Sequence, residues 1–272
     1  FNGALTTDGV FTAASLDISG NADIDGTVSL GVGSTVIPPS FTAASESAKK
    51  IIPVMLDDPS TIWDLQAFLQ ASRNTSWWVE LGAPPIHGAM WINEAQTELV
   101  WWNLDTNAQY MGFDTGGSAY NDKTAVGQSD ISDLAFLDGV LYVTRENAKG
   151  MSIIDFVRDG VTGYETNNTL MAGDIGDRNT NNVWTQYRVM AVYDLTMVSV
   201  DAIRDPSLVD AFGRPKHWWI VGSSATLKKY SIYNPIADAI YDGIHAHASN
   251  VVAVAPSGPY AYLRNDSGAF DY

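Results

Sequence analysis

Four histidines, 31 acidic residues and no cysteine set the limits on what chemistry this chain of 272 residues can carry. Without cysteine there is no thiolate nucleophile, no disulfide framework and no thiolate-ligated metal. Neither a G-x-S-x-G nucleophile elbow nor an H-E-x-x-H pair occurs. The stretch Gly31-Val32-Gly33-Ser34-Thr35 lacks the third glycine and the following helix of a dinucleotide loop, so it reads as a turn. His245 and His247 would share one face of an extended strand, with Asp242 three residues earlier. Zinc takes more ligands than these supply, and two solvent-facing polar side chains is the plainer reading.

Hard cations are the better question. In the stretch GDRNTNN, Asp177, Asn179 and Asn181 alternate so that successive side-chain oxygens can converge on one ion, with Asp174 nearby. A calcium loop would also carry a glycine at its sixth position and a closing Glu; both are missing, and an Asn-rich turn competes. The Asn-rich turn is the favoured reading, so no cofactor is expected and calcium is the alternative. Asp17, Asp23 and Asp25 are a weaker set. A glycosidase needs two carboxylates about 5 to 10 Å apart, a spacing that cannot be picked out in sequence among 31 acids. Tryptophan pairs say more. Trp77-Trp78, Trp101-Trp102 and Trp218-Trp219 are each expected to put one indole on either face of a strand. An exposed ring from Trp101, Trp102, Trp218 or Trp219 would stack on a sugar or a partner chain, unless both faces of the strand are buried.

The elements that would hold these residues change along the chain. Residues 1–45 contain no Lys or Arg and only four acids. A six-residue period runs through them: Leu16, Ala22 and Val28 align, as do Ile18, Ile24 and Leu30, with Gly20 and Gly26 at the corners. Each unit is a short strand whose apolar stripe needs stacked neighbours, and so few repeats point to copies from other chains. Residues 1–35 are expected to form a repetitive β assembly segment with Leu16, Ile18, Ala22, Ile24, Val28 and Leu30 between subunits. Residues 36–83 read as a linker, with Pro38 and Pro39 enforcing an extended path, and one short helix near 60–71. That helix is expected to start at Asp58-Pro59-Ser60 and to bury Ile62, Leu65, Phe68 and Leu69.

From about residue 84 the pattern becomes antiparallel hairpins. Residues 88–114, 131–156, 188–235 (with an insertion before His217) and 248–272 share one grammar of strand, Asn/Asp/Gly turn, aromatic and β-branched strand, and polar turn. A period of about 45 to 60 residues suits propeller blades, with a β-sandwich as the alternative. The fold class is thus mainly β, with 84–272 a propeller-like antiparallel domain. Three repeats and the start of a fourth suggest that the chain is part of a longer ring. It begins at Phe1 with no basic-plus-apolar leader, so a missing or processed N-terminus is expected. The net charge of −16 argues against nucleic acid and anionic bilayers as partners. No apolar run approaches the roughly 18 residues of a membrane-spanning helix.

The opening FNGALTTDGVFTAASLDISGNADIDGTVSLG, above all LDISGNADIDGTVSLG and the TTDGVFTAAS before it, resembles the repetitive strand-rich segments of bacteriophage fibres and other virion appendages, marine phages especially. The resemblance covers roughly the first 45 residues. It implies a structural virion protein, trimeric or otherwise multimeric, at the distal or peripheral part of the particle; other virion proteins and a host surface glycan are the expected partners. A polysaccharide-degrading tailspike and a bacterial surface adhesin are the competing expectations.

Overall fold

The computed structural model describes residues 28–29, 36–37, 48–93, 98–114, 131–145, 150–164, 174–179, 186–188, 197–223, 229–244, 251–257, 260–265 and 270–271. Two compact units divide the chain, residues 1–43 and 44–272. In the first, β1 (Val28–Ser29) pairs antiparallel with β2 (Val36–Ile37), Val28 opposite Ile37. Leu16, Ile18, Ala22, Ile24 and Leu30 lie outside the described residues, and Val28 enters only as a backbone position.

The second unit is a succession of antiparallel meanders. β3 (Ala48–Met55), β4 (His87–Asn93), β5 (Glu98–Asn103) and β6 (Ala108–Asp114) form the first sheet in chain order. β7 (Ile131–Leu137), β8 (Val140–Arg145), β9 (Met151–Asp155) and β10 (Gly160–Tyr164) form the second, to which β11 (Gln186–Arg188) adds in parallel beside β10. β12 (Met197–Val209), β13 (Pro215–Ser223), β14 (Lys229–Asn234) and β15 (Ala239–Ile244) make the third. β16 (Val251–Ser257), β17 (Tyr260–Asn265) and β18 (Phe270–Asp271) make the fourth. The leading strands neighbour one another: β3 lies by β7, β7 by β12, and β12 by β16. A sandwich pairs two sheets, whereas here each meander passes its leading strand to the next, which is the order of propeller blades. The fold is mainly β and propeller-like.

One turn recurs at the same place in three sheets, between the third and fourth strands. Asn103, Asp155 and Asn234 each accept two backbone N–H bonds, from Asp105 and Thr106, from Val157 and Arg158, and from Ile236 and Ala237, at 2.8 to 3.2 Å. Four residues on, Asn107, Asp159 and Asp238 take left-handed φ of 54°, 52° and 47°. Asn and Asp suit both positions, since their short side chains fold back onto the backbone and tolerate that conformation. Between β7 and β8 the turn is only two residues, Asp138-Gly139, with φ of 50° and 72°, as a tight hairpin between twisted strands requires.

Alternation explains the core. Met90, Trp101 and Met111 stand opposite one another across β4, β5 and β6, as do Ile92, Leu99 and Phe113, and all six are buried. They pack with Leu141, Val143, Ile154 and Phe156 of the second sheet. The other face of β8, Val140 and Tyr142, packs with Trp219 and Val221 of the third. Covered on both faces, β8 reads as a continuous buried run, unlike a strand with one wet side.

Residues 36–83 differ from expectation in two ways. β3 is a full member of the first sheet, so the β domain's first sheet starts at Ala48 and not near 84. Pro53 hides it in the sequence, yet β3 ends its sheet's strand order, where a missing N–H is tolerated. Two short helices replace the single one: α1 (Leu65–Ser72) and α2 (Ser76–Leu81). Asp58 caps a turn through Ser60 N–H at 2.7 Å, while Asp64 is the true N-cap, accepting from Ala67 N–H at 2.9 Å. Phe68 is buried in the core with Leu65 and Leu69 against it, as the spacing predicts. Trp77 and Trp78 lie in α2 and not on two faces of a strand; buried Trp77 donates its indole N–H to the Phe156 carbonyl at 2.9 Å.

Candidate functional site

Between the second and third sheets a cleft of about 470 Å³ opens, bounded by β8, β9 and β10 on one side and β13 and β14 on the other. Its wall is aromatic. Trp219 and Tyr233 stack nearly parallel, 5.5 Å between centroids and 10° between planes, and Tyr164 meets Trp219 edge-on at 5.4 Å. Cross-strand register fixes the stack, because Trp219 stands directly opposite Tyr233.

A polar network holds the two sheets together at the base. Tyr142 donates its hydroxyl to His217 Nδ1 at 2.8 Å, and His217 Nε2 donates to Asp138 Oδ2 at 3.1 Å. These roles follow from the partners: a carboxylate accepts only, so the Nε2–H tautomer leaves Nδ1 to accept. Arg204 grips the fully buried Asp138 with two bonds of 2.7 Å. Burial pushes the Asp138 carboxyl up, and the bonds from His217 and Arg204 more than reverse this, holding it below the usual range. Burial pushes His217 down despite the Asp138 bond. The nearby Arg214 charge acts in the same direction as burial, favouring the neutral imidazole. Burial also pushes the Tyr142 phenol well up, leaving it a permanent donor.

Higher on the wall, Arg214 grips Asp155 at 2.6 and 2.8 Å and reaches Asp210 at 3.0 Å. Asp155 and Asp210 hold the Arg214 guanidinium charged against the opposing effect of burial. Arg158 sits at the edge of this cluster, 3.4 Å from Asp210 and 3.7 Å from Asp155, its side chain 56% exposed. Both Asp155 oxygens are committed to Arg214, so this carboxylate is placed for an ion pair and not for proton transfer. Trp219 and Tyr164 are buried and the network's donors are engaged, so the half-buried Tyr233 ring and the accessible Arg158 cation are what the cleft offers a polar ligand.

The tryptophans expected to bind ligand mostly do not face solvent. Trp101 is fully buried against Phe156 and Tyr110. Trp218 is buried and donates its N–H to Asp205 Oδ2 at 2.9 Å. Trp219 is 2% exposed and lines the cleft. Trp102 is half-buried and pairs with Trp91 at 5.3 Å. One exposed indole per pair is not found at Trp218-Trp219: both rings are buried, Trp219 against Val140, Tyr142 and Tyr164 of the second sheet and Trp218 bonded to Asp205.

Of the calcium candidates, Asn179 fastens the edge of β6: its Oδ1 accepts from Asp114 N–H at 2.8 Å and its Nδ2 donates to the Gly112 carbonyl at 3.2 Å. Asp177 ends the 3-10 turn Ile175–Asp177 capped by Asp174, and Asn181, His245 and His247 lie outside the described residues. Among the described residues no group of three His, Asp or Glu side chains is arranged to hold a metal. Tyr233, Arg158, Arg214 and His217 escaped sequence reasoning, although the repeated Asx-x-x-x-Asx spacing marks the turn that carries Arg158.

No protein-family model and no curated protein matches the sequence. Among solved structures, the chain is similar to the computationally designed Ika4 protein at 10% identity and TM-score 0.38, covering 68% of this chain and 82% of that one. The WD40 beta propeller domain of Doa1 matches at 10% identity and TM-score 0.37, over 67% of this chain and 45% of that one. BamB from Moraxella catarrhalis matches at 10% and 0.32, over 69% and 54%. The propeller-like order stands on this chain's own sheets.

Proposed function

We propose that this chain is a non-enzymatic recognition protein whose β unit binds a surface glycan in the cleft between the second and third sheets. The half-buried Tyr233 ring beside the exposed Arg158 carries the reading: sugars offer C–H faces for stacking and oxygens to accept from a charged donor. The setting we propose is a multimeric bacteriophage fibre or related virion appendage, supported by the six-residue repeat of residues 16–30 and its fibre-like sequence. Calcium, other virion proteins and a trimeric state belong to the same proposal. A depolymerising tailspike is less well supported, since Asp155 is bound up in its Arg214 pair.

Incubating the full chain with host surface polysaccharide tests this. Saturable binding without new reducing ends or unsaturated products is the expected result. Release of such products would make the protein a depolymerase, and absence of binding would remove the glycan reading.

A further inference from the structure

We propose that the glycan taken by this cleft is a sugar-acid polymer, with Arg158 holding the carboxylate; this rests on the glycan reading above. The turn Asp155–Gly160 is pinned by Asp155 Oδ1, which accepts the Val157 and Arg158 N–H groups at 3.1 Å each. It therefore presents the Arg158 side chain from a fixed backbone. Among the three equivalent turns, the fourth position is Thr106 in the first sheet and Ala237 in the third, so only the turn at the cleft carries a cation there.

Arg158 is also the member of the charged cluster left for a ligand. Arg214, Asp155 and Asp210 satisfy one another at 2.6 to 3.1 Å, and their side chains are 6%, 18% and 5% exposed. Arg158 keeps only contacts of 3.4 and 3.7 Å and is 56% exposed. Within this cluster the acids are covered and the cation faces water; exposed Lys216 and Asp238, one charge of each sign, also line the cleft. A carboxylate can engage the guanidinium with two parallel bonds, a geometry that neutral hydroxyls do not match. The chain's net charge of −16 opposes a polyanion at long range. Selectivity must come from this short contact, well inside a screening length of about 10 Å at 0.1 M salt.

The test titrates the full chain with hexagalacturonate and with the same oligosaccharide whose carboxyls have been reduced to hydroxymethyl groups. Preference for the acid by about tenfold is expected, from a charge-assisted bidentate pair. Arg158→Gln should abolish that preference and Arg158→Lys restore part of it, with unchanged circular dichroism confirming the fold. Equal affinities in the parent would overturn the sugar-acid inference while leaving the glycan reading intact. Binding of neither compound at millimolar concentration would sink both.

Discussion

The Tyr142 hydroxyl of β8 donates to His217 Nδ1 of β13 at 2.8 Å, joining the second and third sheets through a buried bond. Asp138 and Arg204 extend the line, so each member is satisfied only while the others stay in place. Tyr142→Phe leaves the His217 acceptor buried and unpaired, which costs about 1 to 3 kcal/mol. Urea denaturation should show this loss. A Tyr142→Phe/Asp138→Asn double mutant should show coupling beyond the sum of the single changes.

The pKa values of the two described histidines shift in opposite directions. His87 bonds Asp105 through Nδ1 at 2.7 Å and Asp57 through Nε2 at 3.2 Å, and the Asp105 bond first, then Asp57, against modest burial, raises its pKa. Its stabilising effect is full below the unfolded value of about 6.5 and fades as pH rises through the folded pKa. With 43% of the side chain exposed, screening keeps the effect below about 1 kcal/mol. The folded pKa of His217 is lowered, so its contribution is lost as pH falls below about 6.5. Proton titrations of the two imidazoles by NMR, assigned with His87→Gln, should bracket 6.5 from opposite sides.

Gly139 sits at φ 72°, and a Cβ there would come within 2.6 Å of the Phe68 ring. Gly139→Ala combines backbone strain with a clash against a buried aromatic, so a loss above about 2 kcal/mol is expected. Gly213, at φ 74° with open space around it, should lose only about 1 kcal/mol as alanine. Thermal unfolding of the two variants separates clash from strain.

The hairpin grammar of 88–114 and 131–156 was legible because each strand alternates and each turn carries Asn, Asp or Gly. β12 was not, since Arg204, Asp205 and Pro206 look like an insertion until Arg204 meets Asp138 and Asp205 meets Trp218. In α2, Trp77-Trp78 carries the residue type of a strand, and tertiary contacts hold the six-residue helix there: Trp77 with Phe156, Ser76 with Asp159 and Glu80 with Arg178. The cleft was the least legible feature. Its wall joins β9, β10, β13 and β14, and the pairing of Trp219 with Tyr233 depends on register, which composition does not encode.

Asn179 occupies the outer edge of β6, bonding the Asp114 N–H and the Gly112 carbonyl as a neighbouring strand would. Asn179→Ala should cost about 0.5 to 1.5 kcal/mol and reopen that edge to strand addition. Light scattering on the variant should reveal more self-association than in the parent; an unchanged mass together with unchanged stability would deny Asn179 this role.

Hydrogen exchange of the full chain, with and without saturating host polysaccharide, tests the central claim most directly. Glycan binding in the cleft predicts added protection in peptides spanning residues 153–164 and 215–238, with little change in the first sheet. Protection confined to the first sheet, or none at saturation, would contradict a recognition site between the second and third sheets.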